Sequence, residues 1–119
     1  MNNIKSYTLN EINNHNKIED IWICINGKVY DVSKFINKHP GQANTLINFA
    51  GKDATIPFTL FHPEYVSKYM LHKYYIGDII DYNETNLVSD FLNIRKHFID
   101  IGLFNTYFYN YLILFLNLF

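Results

Sequence analysis

Cysteine is nearly absent from this chain. Its single thiol among 119 residues, Cys24, has no partner for an internal disulfide and no companions for a cysteine-rich metal site. Cys24 lies in the apolar run Ile21–Ile25, where a thiol behaves as a small buried hydrophobe. A charge excess is missing too: ten Lys and Arg stand against eleven Asp and Glu, a net charge of -1. With no basic footprint, nucleic acid is not an expected partner. Nor is there an apolar opening. Met1–Lys17 is polar and asparagine-rich, so no secretory signal is expected and a reducing, cytosol-facing setting follows. The length suits one compact domain with a short appendage.

What is present is strong local punctuation. Met1–Ser6 is polar and expected to fray, and Thr8 or Asn10 is placed to cap a short helix over Asn10–Asn16. Ile21–Ile25, Asn26-Gly27 and Lys28–Asp31 form the pattern of a β-hairpin, because Asn-Gly accepts the positive φ angles of a type I′ turn. Val32–Lys38 suits a turn or two of helix, stopped by His39-Pro40-Gly41. A helix is expected from Gln42 to Phe49, closed by glycine at Ala50-Gly51-Lys52. Asp53 is a suitable N-cap for Ala54–Phe61, which ends at His62-Pro63. Glu64–Leu71 is a further helix candidate, and Tyr74–Ile79 returns as a strand.

Two helices thus end at histidines that each precede a proline. Of the five histidines, His39 and His62 are the candidate ligands, because a ring at a helix end projects into whatever cleft lies beyond it. The residues between them carry apolar faces (Leu46, Ile47, Phe49, Phe58, Phe61) suited to a flat apolar ligand. Zinc would recruit a third or fourth ligand at close spacing, and nothing nearby supplies a recognisable set. Haem requires only two axial ligands and a greasy slot. No serine or cysteine nucleophile motif accompanies them.

Trp22, Gly27–Phe35, His39-Pro40-Gly41, Ala50–Thr55, Phe58, Phe61-His62-Pro63 and Tyr75–Asp78, in that order over about two-thirds of the chain, resemble the cytochrome b5 family signature. The resemblance implies an α+β fold, a small twisted sheet with two helix pairs clamping haem, over residues 7–80. It implies haem b as cofactor, His39 and His62 as the iron ligands, and Val32, Phe35, Leu46, Phe58 and Tyr74 as pocket wall. Trp22 is assigned to a second core rather than to the haem. The outer ring nitrogens are expected to donate to backbone carbonyls at Gly41 and Phe61 or their neighbours. With both axial positions filled, the implied role is a one-electron carrier, not an enzyme.

The sequence also departs from that family. Many members have acidic residues flanking the first ligand and Gly-Gly after the proline, whereas this chain has Asn37-Lys38-His39-Pro40-Gly41-Gln42-Ala43-Asn44. The acidic ring that steers a basic redox partner is therefore missing, and Gln42 is expected to take ordinary helical dihedrals. The Phe61-His62-Pro63-Glu64 context is more similar to the cytochrome b5 domain at the N-terminus of front-end fatty-acid desaturases. So is Asp90–Arg95 followed by Gly102-Leu103-Phe104.

A polar linker over 81–86 precedes an amphipathic helix over 87–100, with Leu87, Phe91, Ile94 and Phe98 on one face. The uncharged segment 101–119 completes a helical hydrophobic tail of bilayer-spanning length, interrupted by Asn105, Asn110 and Asn117. The resemblance implies a flavin-dependent reductase as donor, a membrane acceptor such as a desaturase, and an endoplasmic reticulum membrane with the haem domain facing the cytosol. No desaturase histidine boxes follow His97, so this chain alone is not expected to desaturate, and it reads as a truncated desaturase front end or a divergent relative. Two alternatives remain open: a haem or hydrophobic-ligand binding module without a redox circuit, and a tail-anchored cytochrome b5.

Overall fold

A computed structural model describes residues 4–80 and 82–104. They fall into two units, residues 1–85 and 86–119, each considered by itself. In the first, β1 (Ser6–Tyr7), α1 (Leu9–Asn14), β2 (Asn16–Lys17), β3 (Asp20–Ile25) and β4 (Lys28–Asp31) lead to a 3-10 segment, Ser33–Lys38. Then come α2 (Ala43–Asn48), α3 (Thr55–Phe61), α4 (Glu64–Tyr69), a second 3-10 segment (Leu71–Tyr74) and β5 (Tyr75–Ile79). The sheet order is β1-β5-β4-β3-β2, with β1 parallel to β5 and the other pairs antiparallel.

The hairpin forms as its sequence demands. Asn26 and Gly27 take φ of 50° and 71°, the left-handed pair of a type I′ turn, and Cys24 pairs with Val29 beyond it. The unbroken apolar run in β3 has a physical reason: both faces of the strand are covered. Side chains alternate across a strand, so Ile21, Ile23 and Ile25 enter one hydrophobic cluster while Cys24 and its neighbour Trp22 enter the other. Cys24 is fully buried, as expected of a structural thiol, and burial pushes its thiol up to about 12.

Beyond the short β2 pairing, the outer edge of β3 is closed by the α2–α3 loop. Gly51 N–H donates to Trp22 O at 2.8 Å, Cys24 N–H to Lys52 O at 3.0 Å, and Ala54 N–H to Cys24 O at 2.8 Å. This loop spares an exposed strand edge and fixes where α2 ends and α3 begins. Thr55, 1% exposed, completes the junction: its hydroxyl accepts Asn26 N–H at 2.8 Å and its own N–H donates to Asp53 Oδ1 at 2.8 Å. Asp53 thus serves the start of α3, one residue before the Ala54 cap position. At α1, Thr8 is the N-cap, forming a reciprocal capping box with Glu11.

Two expectations require correction. Ser6, assigned to a frayed terminus, begins β1 and pairs with Asp78, because the free side of β5 offers unpaired backbone groups. Gln42 does not adopt helical dihedrals. It takes φ 70°, ψ 153°, a backbone conformation suited to glycine, because the chain must reverse sharply between Pro40 and the first residue of α2.

The second unit contains α5 (Asn86–Asp100), on which Leu87, Ile94 and Phe98 are exposed. Among the described residues no helix is long and apolar enough to cross a membrane. The expected spanning segment, 101–119, lies outside the described residues from position 105 onward.

Candidate functional site

Both histidines are extended residues held between a helix and a proline. His39 follows the 3-10 segment with φ -71°, ψ 121°, and His62 follows α3 with φ -115°, ψ 131°. In each case the proline ring disfavours helical dihedrals in the residue before it, so the helix stops at the histidine. The result is two imidazoles facing each other, ring centroids 5.9 Å apart and planes inclined at 42°.

Their protons are held away from one another. His39 Nδ1 lies 3.2 Å from Gln42 O, and His62 Nδ1 lies 3.1 Å from Phe58 O. A carbonyl only accepts, so Nδ1 carries the proton in each ring and Nε2 keeps its lone pair for a metal. Gln42 is the neighbour of the expected Gly41, but the second acceptor is Phe58 rather than Phe61. That choice follows from helix geometry: the i−4 carbonyl of the last turn already takes His62 N–H at 3.0 Å and accepts the ring as well. Phe58 also stacks on His62, centroids 4.4 Å apart at 12°, while Phe35 meets His39 edge-on at 5.8 Å and 77°. Gly41 is required for its size. A Cβ at that position would come within 2.8 Å of His39 Cε1 and displace the ring.

The histidines open onto a cavity of about 650 Å³, lined almost wholly by apolar groups. Val32, Phe35, Leu46, Phe58 and Tyr74, the five residues expected at the wall, all line it. So do Phe49 and Phe61, whereas Ile47 packs against the core cluster instead. Sequence reasoning missed Ile23, Thr45, Tyr65, Val66 and Met70. Strand alternation with Ile21 and Ile25 would have found Ile23. Nothing in the sequence singled out Met70, which follows α4 and enters the wall through the turn there. Trp22 lies in the other cluster, edge-on to Tyr7 at 5.0 Å and stacked on His15 at 3.5 Å.

A haem fits this arrangement on two counts. Metal–imidazole bonds of about 2 Å on opposite sides of one ion put ring centroids roughly 6 Å apart, and the observed separation is 5.9 Å. Among the described residues no group of three or more His, Cys, Asp or Glu could hold a metal ion. The second count is the lining, whose apolar side chains suit a flat macrocycle that brings its own further ligands.

Comparison with known proteins agrees. Residues 8–80 match the family described as "Cytochrome b5-like Heme/Steroid binding domain". A cytochrome b5 of Borago officinalis is 48% identical over 75 residues, which covers 63% of this chain and 57% of that protein. An acyl-lipid (8-3)-desaturase B of Dictyostelium discoideum is 37% identical over 94% of this chain but only 27% of its own length. The chain thus spans little more than half of such plant cytochromes and about a quarter of the desaturase. Among solved structures, the cytochrome b5 of Ostreococcus tauri virus 2 matches with a TM-score of 0.58 and 43% identity, covering 62% of this chain and 95% of that one. The chain belongs to the cytochrome b5-like family, and residues 8–80 are its haem-binding, electron-carrier domain.

Proposed function

We propose that His39 and His62 are the axial ligands of one haem iron, and that the chain relays single electrons from a flavin-dependent reductase to a membrane-bound acceptor. The observation that carries this reading is the pair of imidazoles 5.9 Å apart, each with its Nδ1 proton engaged by a backbone carbonyl. A haem held there supplies one-electron chemistry at its iron. The chain's contribution would be the two imidazole ligands of His39 and His62, each ring fixed through Gln42 O or Phe58 O, which would leave dioxygen no ligand position. Phe35, Leu46, Phe58 and Tyr74 give the rest of the slot a largely apolar surface.

The acceptor we favour is a fatty-acid desaturase, at an endoplasmic reticulum membrane with the haem domain on the cytosolic side. Similarity to the Dictyostelium desaturase extends over 94% of the chain, beyond the 63% shared with the plant cytochrome, so it includes residues outside the haem domain. The exposed Leu87, Ile94 and Phe98 of α5 suit contact with a bilayer surface.

The test is spectroscopic. The full chain loaded with haem should give a low-spin bis-imidazole spectrum in both oxidation states, abolished by His39→Ala or by His62→Ala. A spectrum indifferent to both substitutions would falsify the ligand assignment. For the relay, NADH and a flavin reductase should reduce the haem-loaded chain; reduction by dithionite alone counts against it.

A further inference from the structure

Charge is distributed unevenly over the haem-binding unit. The two arms that frame the cavity are Ser33–Asn48 and Thr55–Tyr74. They carry Lys34, Lys38, Lys68 and Lys73 and a single acidic residue, Glu64. That is a balance of +3 in a chain of net charge -1, so the remaining residues sum to -4. All four lysines are exposed. They outnumber Glu64 and the propionate carboxylates of a bound haem together. The second arm also carries an exposed apolar patch on α3 and α4, Leu60 at 57%, Phe61 at 79%, Tyr65 at 58% and Tyr69 at 60%, and Lys68 Nζ lies 5.3 Å from the centre of the Tyr69 ring. Leu60 and Tyr69 lie outside the cavity lining, so a group held between the histidines leaves them uncovered.

An exposed apolar patch accompanied by an excess of positive charge has the composition of a protein docking face, in which the charges select the partner and steer its approach. We propose that the mouth of the cavity docks a redox protein through an acidic surface on that protein. This rests on the electron-carrier reading. An anionic bilayer shares the charge but has no redox centre to meet the haem, so a protein is the occupant that reading requires.

Binding is measured on the full, haem-loaded chain by titration, with flavodoxin as the acidic probe and cytochrome c as the basic one. Flavodoxin should bind at low salt, release as salt is raised, and lose about tenfold in affinity when Lys38→Glu and Lys68→Glu are combined. The control pair Lys5→Glu and Lys17→Glu, at the sheet edges, should change it less than about twofold. Leu60→Ala with Tyr69→Ser should weaken it several-fold with the haem spectrum unchanged. Three results overturn the proposal: indifference of flavodoxin to the Lys38 and Lys68 reversals, preferential binding of cytochrome c at low salt, or a requirement for the same two lysines in binding to phosphatidylserine vesicles but not to flavodoxin. None of these outcomes depends on the His39 and His62 spectrum, so the failure of docking and the failure of haem ligation are separate observations.

Discussion

The sheet of the haem-binding unit separates two hydrophobic clusters built on opposite principles. On one side Ile12, Cys24 and Val29 are 0% exposed and Ile79 8%, and Tyr7, Trp22, Ile76 and Tyr82 close around them. Polar groups seal that side: Tyr82 Oη donates to Asp53 Oδ2 at 3.2 Å, and Asp20 holds His15 Nδ1 at 2.7 Å. On the other side the buried Ile23, Val32, Leu46 and Leu71 line a cavity whose other walls are largely only partly buried. Phe61 and Met70 contribute to those walls while 79% and 43% exposed. One cluster is finished by the chain itself. The other needs a ligand to bury its apolar surface, so a single strand, β3, links a self-sufficient core to a binding device.

The largest effect expected from that contrast is the response to haem removal. A ligand at a thousandfold excess over its Kd stabilises the native state by about 4 kcal/mol. Loss of that stabilisation should fall on α2, α3 and α4, whose amides should exchange rapidly, while β3, β4 and β5 remain protected. Equal loss of protection on both sides of the sheet would abolish the distinction.

Next is a pair of cavity-forming substitutions. Ile12→Ala in the closed cluster should cost about 2–5 kcal/mol with or without haem and leave the haem spectrum unchanged. Leu46→Ala, at the cavity wall, should cost less in the haem-free chain and instead weaken haem retention. Urea unfolding of both variants in both forms checks this, and a larger haem-free cost at Leu46 than at Ile12 would reverse it.

Smaller still is Gln42→Gly. Gln42 holds a backbone conformation that costs a side-chain-bearing residue about 1–3 kcal/mol, partly offset by the greater unfolded freedom of glycine. The substitution should therefore raise stability by about 1 kcal/mol while leaving its carbonyl in place for His39. A destabilised variant would mean that the loop is not strained at this position.

Much of this was legible in the sequence, for identifiable reasons. The Asn-Gly turn, the His-Pro stops and the apolar run of β3 are local signals, and local sterics decided them. The five expected wall residues all reach the cavity because the motif that carries them fixes both register and spacing. What escaped was set by distant partners. β1 exists because β5 has a free edge, and the positive φ of Gln42 is imposed by a chain reversal that glycine normally makes. The choice of Phe58 over Phe61 as acceptor depends on where a helix turn presents its carbonyl. The four lysines are visible in the sequence, but only the fold brings the two arms that carry them around one cavity.

The smallest expected effect is a null result that only the closed cluster can give. Burial, with the Asp53 carboxylate adding to it, raises Cys24 from an ordinary 9.0 to about 12, so little thiolate forms at pH 8.5 in the folded chain. Iodoacetamide should therefore label Cys24 only as fast as the β3 region opens, and at the same rate with haem and without it. Because the folded value lies above the unfolded one, this thiol favours the folded state fully below about 9, and its contribution falls as pH rises towards about 12. Tyr30 and Tyr82, also pushed up to about 12 by burial, act in the same sense over the upper part of that range. Cys24→Ala should consequently flatten the alkaline loss of stability without removing it. If haem removal instead accelerates labelling at pH 8.5, the closed cluster depends on its open neighbour, and the two sides of the sheet form one cooperative unit.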